Sequence, residues 1–249
     1  MENLVALSQV IKRQEPKSCP GCGHNIFIRV VQEVLVELGL VNRAVECDGV
    51  GCAGNHYPYL NHSRIPALPH GRTAAAATGL KRTSPELIVY TFQGDGDAEV
   101  IGLAETMGAA YRNENICAFI SLNMLYGLTG GQMAWSTLPG QVTATSSAGR
   151  DCELTGYPFH FPELVAHSFP HVAYAARGAV DTPAHINQLK GMVRNALEAQ
   201  AAGEGYSVVE CLSMCPNNWH MSPVQCQDHI SNVVTKEFPL GEFVSRRSK

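Results

Sequence analysis

The chain has 249 residues with 18 Lys+Arg against 22 Asp+Glu, a formal charge of −4, so it lacks the basic surplus that grips nucleic acid. Apolar residues make up 45% and charged ones 16%, which excludes a disordered chain and suits one large domain over residues 1–249. The start has no long apolar stretch or small-residue cleavage site, and no window reaches the length of a membrane span, so the expected compartment is the cytoplasm with no membrane contact.

In chain order, Ile26, Phe27, Val30, Val31, Val34, Leu35 and Leu38 recur at spacings of three and four, which predicts a helix over 24–38 closed by Gly39. A short strand is expected over 43–48, an alanine-rich helix over 72–82, and a β-branched and aromatic strand over 87–93 that stops at a glycine-rich turn. Helical spacing returns over 98–112 and a continuous apolar strand over 116–122. The stretch 126–158 has no periodicity and is rich in Gly, Thr, Ser and Pro, too long for a passive connector. Two further strands, 172–177 and 206–212, flank a helix over 183–202, and 224–249 reads as a mixed tail with an exposed basic end. This alternation predicts an α/β fold, a mostly parallel sheet with helices on both faces.

Gly94-Asp95-Gly96-Asp97 lies between a predicted strand and a predicted helix. Glycines let the backbone approach a phosphate, and a helix N-terminus adds unpaired N–H groups. A carboxylate there would repel a bare diphosphate, so Asp95 makes sense with a divalent cation between them, and Mg²⁺ suits carboxylate and phosphate oxygens. Twenty-six residues separate Gly96 from Asn123, which closes the next strand and brings a second oxygen donor to the same sheet edge. A second glycine-rich loop follows, Tyr126-Gly127-Leu128-Thr129-Gly130-Gly131-Gln132, in which the Thr129 hydroxyl could reach a phosphate oxygen. Gly-Asp-Gly followed at this distance by Asn resembles the thiamine diphosphate signature. That resemblance implies Mg²⁺ held by Asp95, Asn123 and the Leu125 carbonyl, although Leu122 stands where the signature has a further Asn.

The nine cysteines include Cys19-Pro20-Gly21-Cys22, whose two-residue gap lets both thiolates reach one metal centre. One pair cannot complete a site. Cys52 follows the first strand and Cys215 the last, and sheet-edge loops can bring both to the same place. Four cysteines suit either Zn²⁺ or a [4Fe–4S] cluster. Cys47, Cys117 and Cys211 read as small core residues, while Cys152 and Cys226 carry no assignment.

Together with His70-Gly71-Arg72, Leu138-Pro139-Gly140-Gln141 and Cys215-Pro216 followed by Asn218-Trp219, these motifs resemble the β subunit of the 2-oxoacid:ferredoxin oxidoreductases, nearest the 2-oxoglutarate and branched-chain members. The resemblance implies the diphosphate-binding (PP-type) domain of the thiamine diphosphate fold, with an iron–sulfur loop over about 15–55. It implies a [4Fe–4S] cluster on Cys19, Cys22, Cys52 and Cys215, and cofactor contacts from Cys52, His70, Gly94, Asp95, Gly96, Asp97, Asn123, Leu125, Tyr126, Gly127, Leu128 and Thr129. Asn55 and His56 fall where relatives approach the substrate, and His24 is expected beside the cluster loop. The implied reaction is oxidative decarboxylation of a 2-oxoacid with coenzyme A, electrons passing through the cluster to ferredoxin. An α subunit would bring the pyrimidine-binding domain and its activating glutamate, alongside a small ferredoxin-like subunit. A non-redox thiamine carboligase or decarboxylase with a zinc staple, and a silent assembly subunit, are the alternative readings.

Overall fold

The computed structural model describes residues 18–54 and 62–245. Seven strands form one sheet in the order β2-β1-β3-β4-β8-β7-β9: β1 Ala44–Asp48, β2 Ser63–Ile65, β3 Ile88–Gly94, β4 Cys117–Leu122, β7 Tyr174–Ala179, β8 Ser207–Leu212 and β9 Gly241–Val244. Every pair is parallel except β7 with β9. β5 Leu125–Tyr126 and β6 Gln132–Met133 make a separate small hairpin.

Successive strand residues face opposite layers. Tyr90, Phe92, Phe119, Val209 and Cys211 pack beneath α1 (Gly23–Glu37), while Val89, Ala118, Ile120 and Val208 pack beneath α2 (Thr73–Thr83) and α3 (Leu103–Tyr111). Both faces are covered, so the central strands read as unbroken apolar runs. α1 ends where expected, with Gly39 in the left-handed region at φ 67°.

The remaining helices are α4 (Cys152–Thr155), α5 (Phe161–Ser168), α6 (Pro183–Ala201), α7 (Pro216–Trp219) and α8 (Pro223–His229), the last continued by a π-helical turn Ile230–Val234 and a short turn Thr235–Glu237, with α6 joining α1 on the first face. Among the described residues no helix is long and apolar enough to cross a membrane.

Four expectations need correction. The helix placed over 98–112 begins as a π-helical turn, Gly96–Ile101, and becomes regular only at α3. The strand placed over 172–177 lies two residues later, and the stretch 126–158 contains the small hairpin and α4. The region from 224 is no loose tail: Cys226, Ile230, Val234 and Phe238 are fully buried and β9 completes the sheet edge. The basic end, Asn55 and His56 lie outside the described residues.

Phe238 is the pin of that segment. It is 0% exposed, and the Arg177 guanidinium carbon lies 5.2 Å from its ring centroid. Phe238→Ala should therefore destabilise the chain by about 3–5 kcal/mol, the range for emptying a buried aromatic site, as read by denaturant unfolding.

Candidate functional site

The register of β3 on β4 pairs Gly94 with Ser121, which brings the turn after one strand beside the end of the next. Asp95 caps the π-helical turn, and its carboxylate accepts from the amides of Gly96 (3.0 Å) and Met124 (2.9 Å) and from the Ser136 hydroxyl. It is 1% exposed, and burial pushes its carboxyl up to about 7 against the pull of those three donors. A nearby cation would offset that cost. Ser136 is a contact that sequence reasoning missed, because it falls between the quoted motifs Tyr126–Gln132 and Leu138–Gln141 and belongs to neither.

Asn123 is 4% exposed, and its side-chain amide lies 3.3 Å from an Asp95 carboxylate oxygen and 2.7 Å from the Leu125 carbonyl. With its NH₂ towards them, the amide donates to both. With its oxygen towards them, three oxygens converge on one point, the hard donor set that Mg²⁺ takes at about 2.0–2.1 Å. Met124, between Asn123 and Leu125, has φ 63°, a left-handed conformation that turns the chain back after Asn123.

The turn is shaped for close approach. A Cβ on Gly96 would lie 2.3 Å from the Tyr126 ring, so only glycine lets that ring lie against the backbone. Every residue expected to contact the cofactor lines one cleft, from Cys52 and His70 through Gly94–Asp97 to Leu125–Thr129. Two of them nevertheless spend their polar groups on the protein. The Asp97 carboxylate accepts from the Gly71 amide (2.6 Å) and the Gln93 side chain (2.6 Å) and touches the His70 ring, so it fastens the His-Gly-Arg loop instead of facing a phosphate. The Thr129 hydroxyl donates to Gln132 (2.6 Å), within its own hairpin. His70, held by Asp97, stands edge-on to Tyr126 with ring centroids 6.2 Å apart.

Beside this cleft, Cys19, Cys22, Cys52 and Cys215 line a cavity of about 260 Å³ with His24, Asn123, Gly127 and Asn218. The Gly23 amide donates to the Met214 carbonyl (3.0 Å), and a Cβ on Gly23 would meet the Met214 nitrogen at 2.5 Å, so glycine permits the start of α1 to press against the end of β8. Burial pushes the Cys22 thiol up to about 12 and the Cys52 thiol up to about 11, and raises Cys215 as well. Such thiols ionise when a metal draws the proton off. Among the described residues no three His, Cys, Asp or Glu side chains are grouped as a ready metal site.

Asn218, quoted in the motif but given no role, donates to the Gly127 carbonyl (3.0 Å) and to the Cys215 sulfur (3.4 Å). Trp219 donates its indole N–H to the Asn123 carbonyl (3.1 Å), so one short turn supports both the cysteine cavity and the oxygen cluster. His24 lies where expected, its Nδ1 3.4 Å from the Cys22 sulfur. Cys47, Cys117 and Cys211 are fully buried in the core, Cys226 packs under the C-terminal segment, and Cys152 is half-buried on α4.

Residues 49–211 match the family described as thiamine pyrophosphate enzyme, C-terminal TPP binding domain. A 2-oxoglutarate synthase subunit KorB from Archaeoglobus fulgidus is 33% identical over 216 residues, which are 85% of this chain and 74% of that protein. The chain belongs to the 2-oxoacid:ferredoxin oxidoreductase subunits. A ketoisovalerate oxidoreductase subunit VorA from Methanothermobacter thermautotrophicus is 39% identical over 93% of this chain, and the chain spans 48% of that relative's length. In fold it resembles the 2-oxoglutarate:ferredoxin oxidoreductase of Magnetococcus marinus, solved with 2-oxoglutarate, coenzyme A and succinyl-CoA bound, with a TM-score of 0.80, 21% identity, and coverage of 98% of this chain and 86% of that one.

Proposed function

We propose that the chain holds thiamine diphosphate, Mg²⁺ and a [4Fe–4S] cluster for the CoA-dependent oxidative decarboxylation of a 2-oxoacid. The observation that carries this reading is the lining the two sites share: His24, Cys52, Asn123, Gly127 and Leu128 border both the cleft and the cysteine cavity, and the Cys52 sulfur and the Asn123 amide lie 3.2 and 3.4 Å from where a Gly127 Cβ would stand. When bound, thiamine diphosphate supplies the electron sink for decarboxylation and the cluster accepts the released electrons singly. Asp95, Asn123 and the Leu125 carbonyl would hold the cation that meets the diphosphate, with Gly94 and Gly96 giving the backbone access. Tyr126 and His70 border the path away from the diphosphate. Cys19, Cys22, Cys52 and Cys215 would hold the cluster, with Asn218 donating to one sulfur and His24 beside another.

A carboligase with a zinc staple is not favoured, because the relatives that establish the family are oxidoreductase subunits. The names of those relatives support a 2-oxoacid substrate, either branched-chain or 2-oxoglutarate.

The site is open on one side, and the partner would close it. Leu128 (52% exposed), Trp135 (42%), Val142 (63%), Leu154 (83%) and Tyr157 (68%) are exposed apolar side chains between residues 126 and 158, and Leu128 lines the cleft itself. We place there the α subunit, carrying the pyrimidine-binding domain and its activating glutamate, with ferredoxin as the acceptor. Anaerobic viologen reduction with Mg²⁺, thiamine diphosphate, coenzyme A and a panel of 2-oxoacids tests this. The chain alone should be silent and the reconstituted complex active. Turnover by the chain alone would overturn the division of labour, and colourless protein containing zinc without iron would overturn the redox reading.

A further inference from the structure

Beneath the diphosphate turn lies a buried pair of carboxyl groups that none of the roles above uses. Glu99, on the π-helical turn Gly96–Ile101, and Glu210, on β8, are both 0% exposed and face each other. Among the described residues, no N–H or O–H donates to either oxygen of Glu99 or to Oε1 of Glu210. The other Glu210 oxygen receives Arg177 Nε, and the rest of that guanidinium forms a two-pronged pair with Glu163, at 2.5 and 2.6 Å. Despite its partial burial, Glu163 is held down at about 2 by hydrogen bonds from His160 and Arg177. One guanidinium therefore faces three carboxyls, and two of them are already bound to it. A third buried negative charge with no donor is prohibitive, while a single proton shared between Glu99 and Glu210 satisfies both.

We propose that Glu99 is a positioning residue for the cation site: held as the neutral acid, it donates to Glu210 and so fastens to β8 the turn that Asp95 caps. The inference rests on the reading of Asp95 as a cation ligand. π-helical turns are single-turn insertions common at functional sites, and this one is held at one end by Asp95 and at the other by the Gly102 amide donating to Asp97 (2.9 Å). The groups facing Glu99 are Glu210 and Tyr206 on the β8 side, Arg177 from β7, and Asp95 from its own turn. Burial, with Glu210 beside it, raises its carboxyl well above the ordinary range. The unfolded chain releases this proton above about pH 4.3 while the folded chain keeps it, so this group makes stability fall as pH rises.

The experiment compares Glu99→Gln, which keeps a donor to Glu210, with Glu99→Leu, which does not, in the full chain with the subunits it carries. Thiamine diphosphate binding is titrated calorimetrically with Mg²⁺, and thermal midpoints are followed from pH 5 to 9. Glu99→Gln should bind like the wild type, have a higher midpoint at neutral pH and show a flatter pH profile. Glu99→Leu should bind about ten- to a hundredfold more weakly, the usual cost of losing a partner behind a metal ligand. Equal binding by both variants would overturn the positioning role, and equal weakening would overturn the neutral-acid assignment. An unchanged pH profile in Glu99→Gln, which tests the proton without any cofactor, would also overturn that assignment. Absence of binding in the wild type would overturn the cofactor reading itself, and the inference with it.

Discussion

Asp95→Ala is expected to lower thiamine diphosphate affinity by about a hundredfold or more, at least ~2.7 kcal/mol, while leaving iron content unchanged. Asp95 is the charged member of the oxygen cluster, and Asn123 and the Leu125 carbonyl contribute only dipoles. Its loss strands the Gly96 and Met124 amides and the Ser136 hydroxyl, which costs roughly 1–3 kcal/mol of stability for a donor left buried without an acceptor. The fold should survive that loss, because the apolar core clusters keep every one of their side chains. Calorimetric titration with Mg²⁺ at neutral pH decides the matter, with Asn123→Leu as a milder comparator. Wild-type affinity in Asp95→Ala would remove the cation from this turn.

Replacing any of Cys19, Cys22, Cys52 and Cys215 by Ala should bleach the iron–sulfur absorbance of anaerobically purified protein, whereas Cys117→Ala should retain it. The four share one cavity, and burial keeps at least three of their thiols protonated without metal, so an incomplete set would bind weakly. Cys117 is as buried as any of them, but its sulfur donates to the Ala196 carbonyl at 3.2 Å in the core beneath α6. Truncating it therefore tests burial without the metal role. Iron retained in Cys215→Ala would point to Cys211, four residues earlier and packed in the core beneath α1.

Those experiments target residues that sequence reasoning could name, and the reason is local. Glycines that permit backbone contact, a carboxylate in a strand-to-helix turn, and cysteines at strand ends keep their meaning wherever the sheet places them. The parallel sheet was equally readable, since strands buried on both faces leave continuous apolar runs such as Cys117–Leu122. What escaped depended on long-range packing. α5 starts at Phe161-Pro162, and its aromatic flank hides a helical period only 8 residues long. The C-terminal segment did carry a signal, the four-residue spacing of Cys226, Ile230, Val234 and Phe238, but interleaved polar residues made it read as a tail. The inward turn of Asp97 towards His70, and Ser136 reaching Asp95 across the loop, are contacts between distant segments that no motif spacing encodes.

Gly127 lies in the lining that the cleft and the cysteine cavity share. With no side chain there, the Asn218 amide ties the Gly127 carbonyl to the Cys215 sulfur, and the Cys52 sulfur and the Asn123 amide stand 3.2 and 3.4 Å from where a Cβ would be. A methyl group at this position would press on the Cys52 sulfur and the Asn123 amide at once while removing no proposed ligand, so a single added carbon would be felt by both sites together.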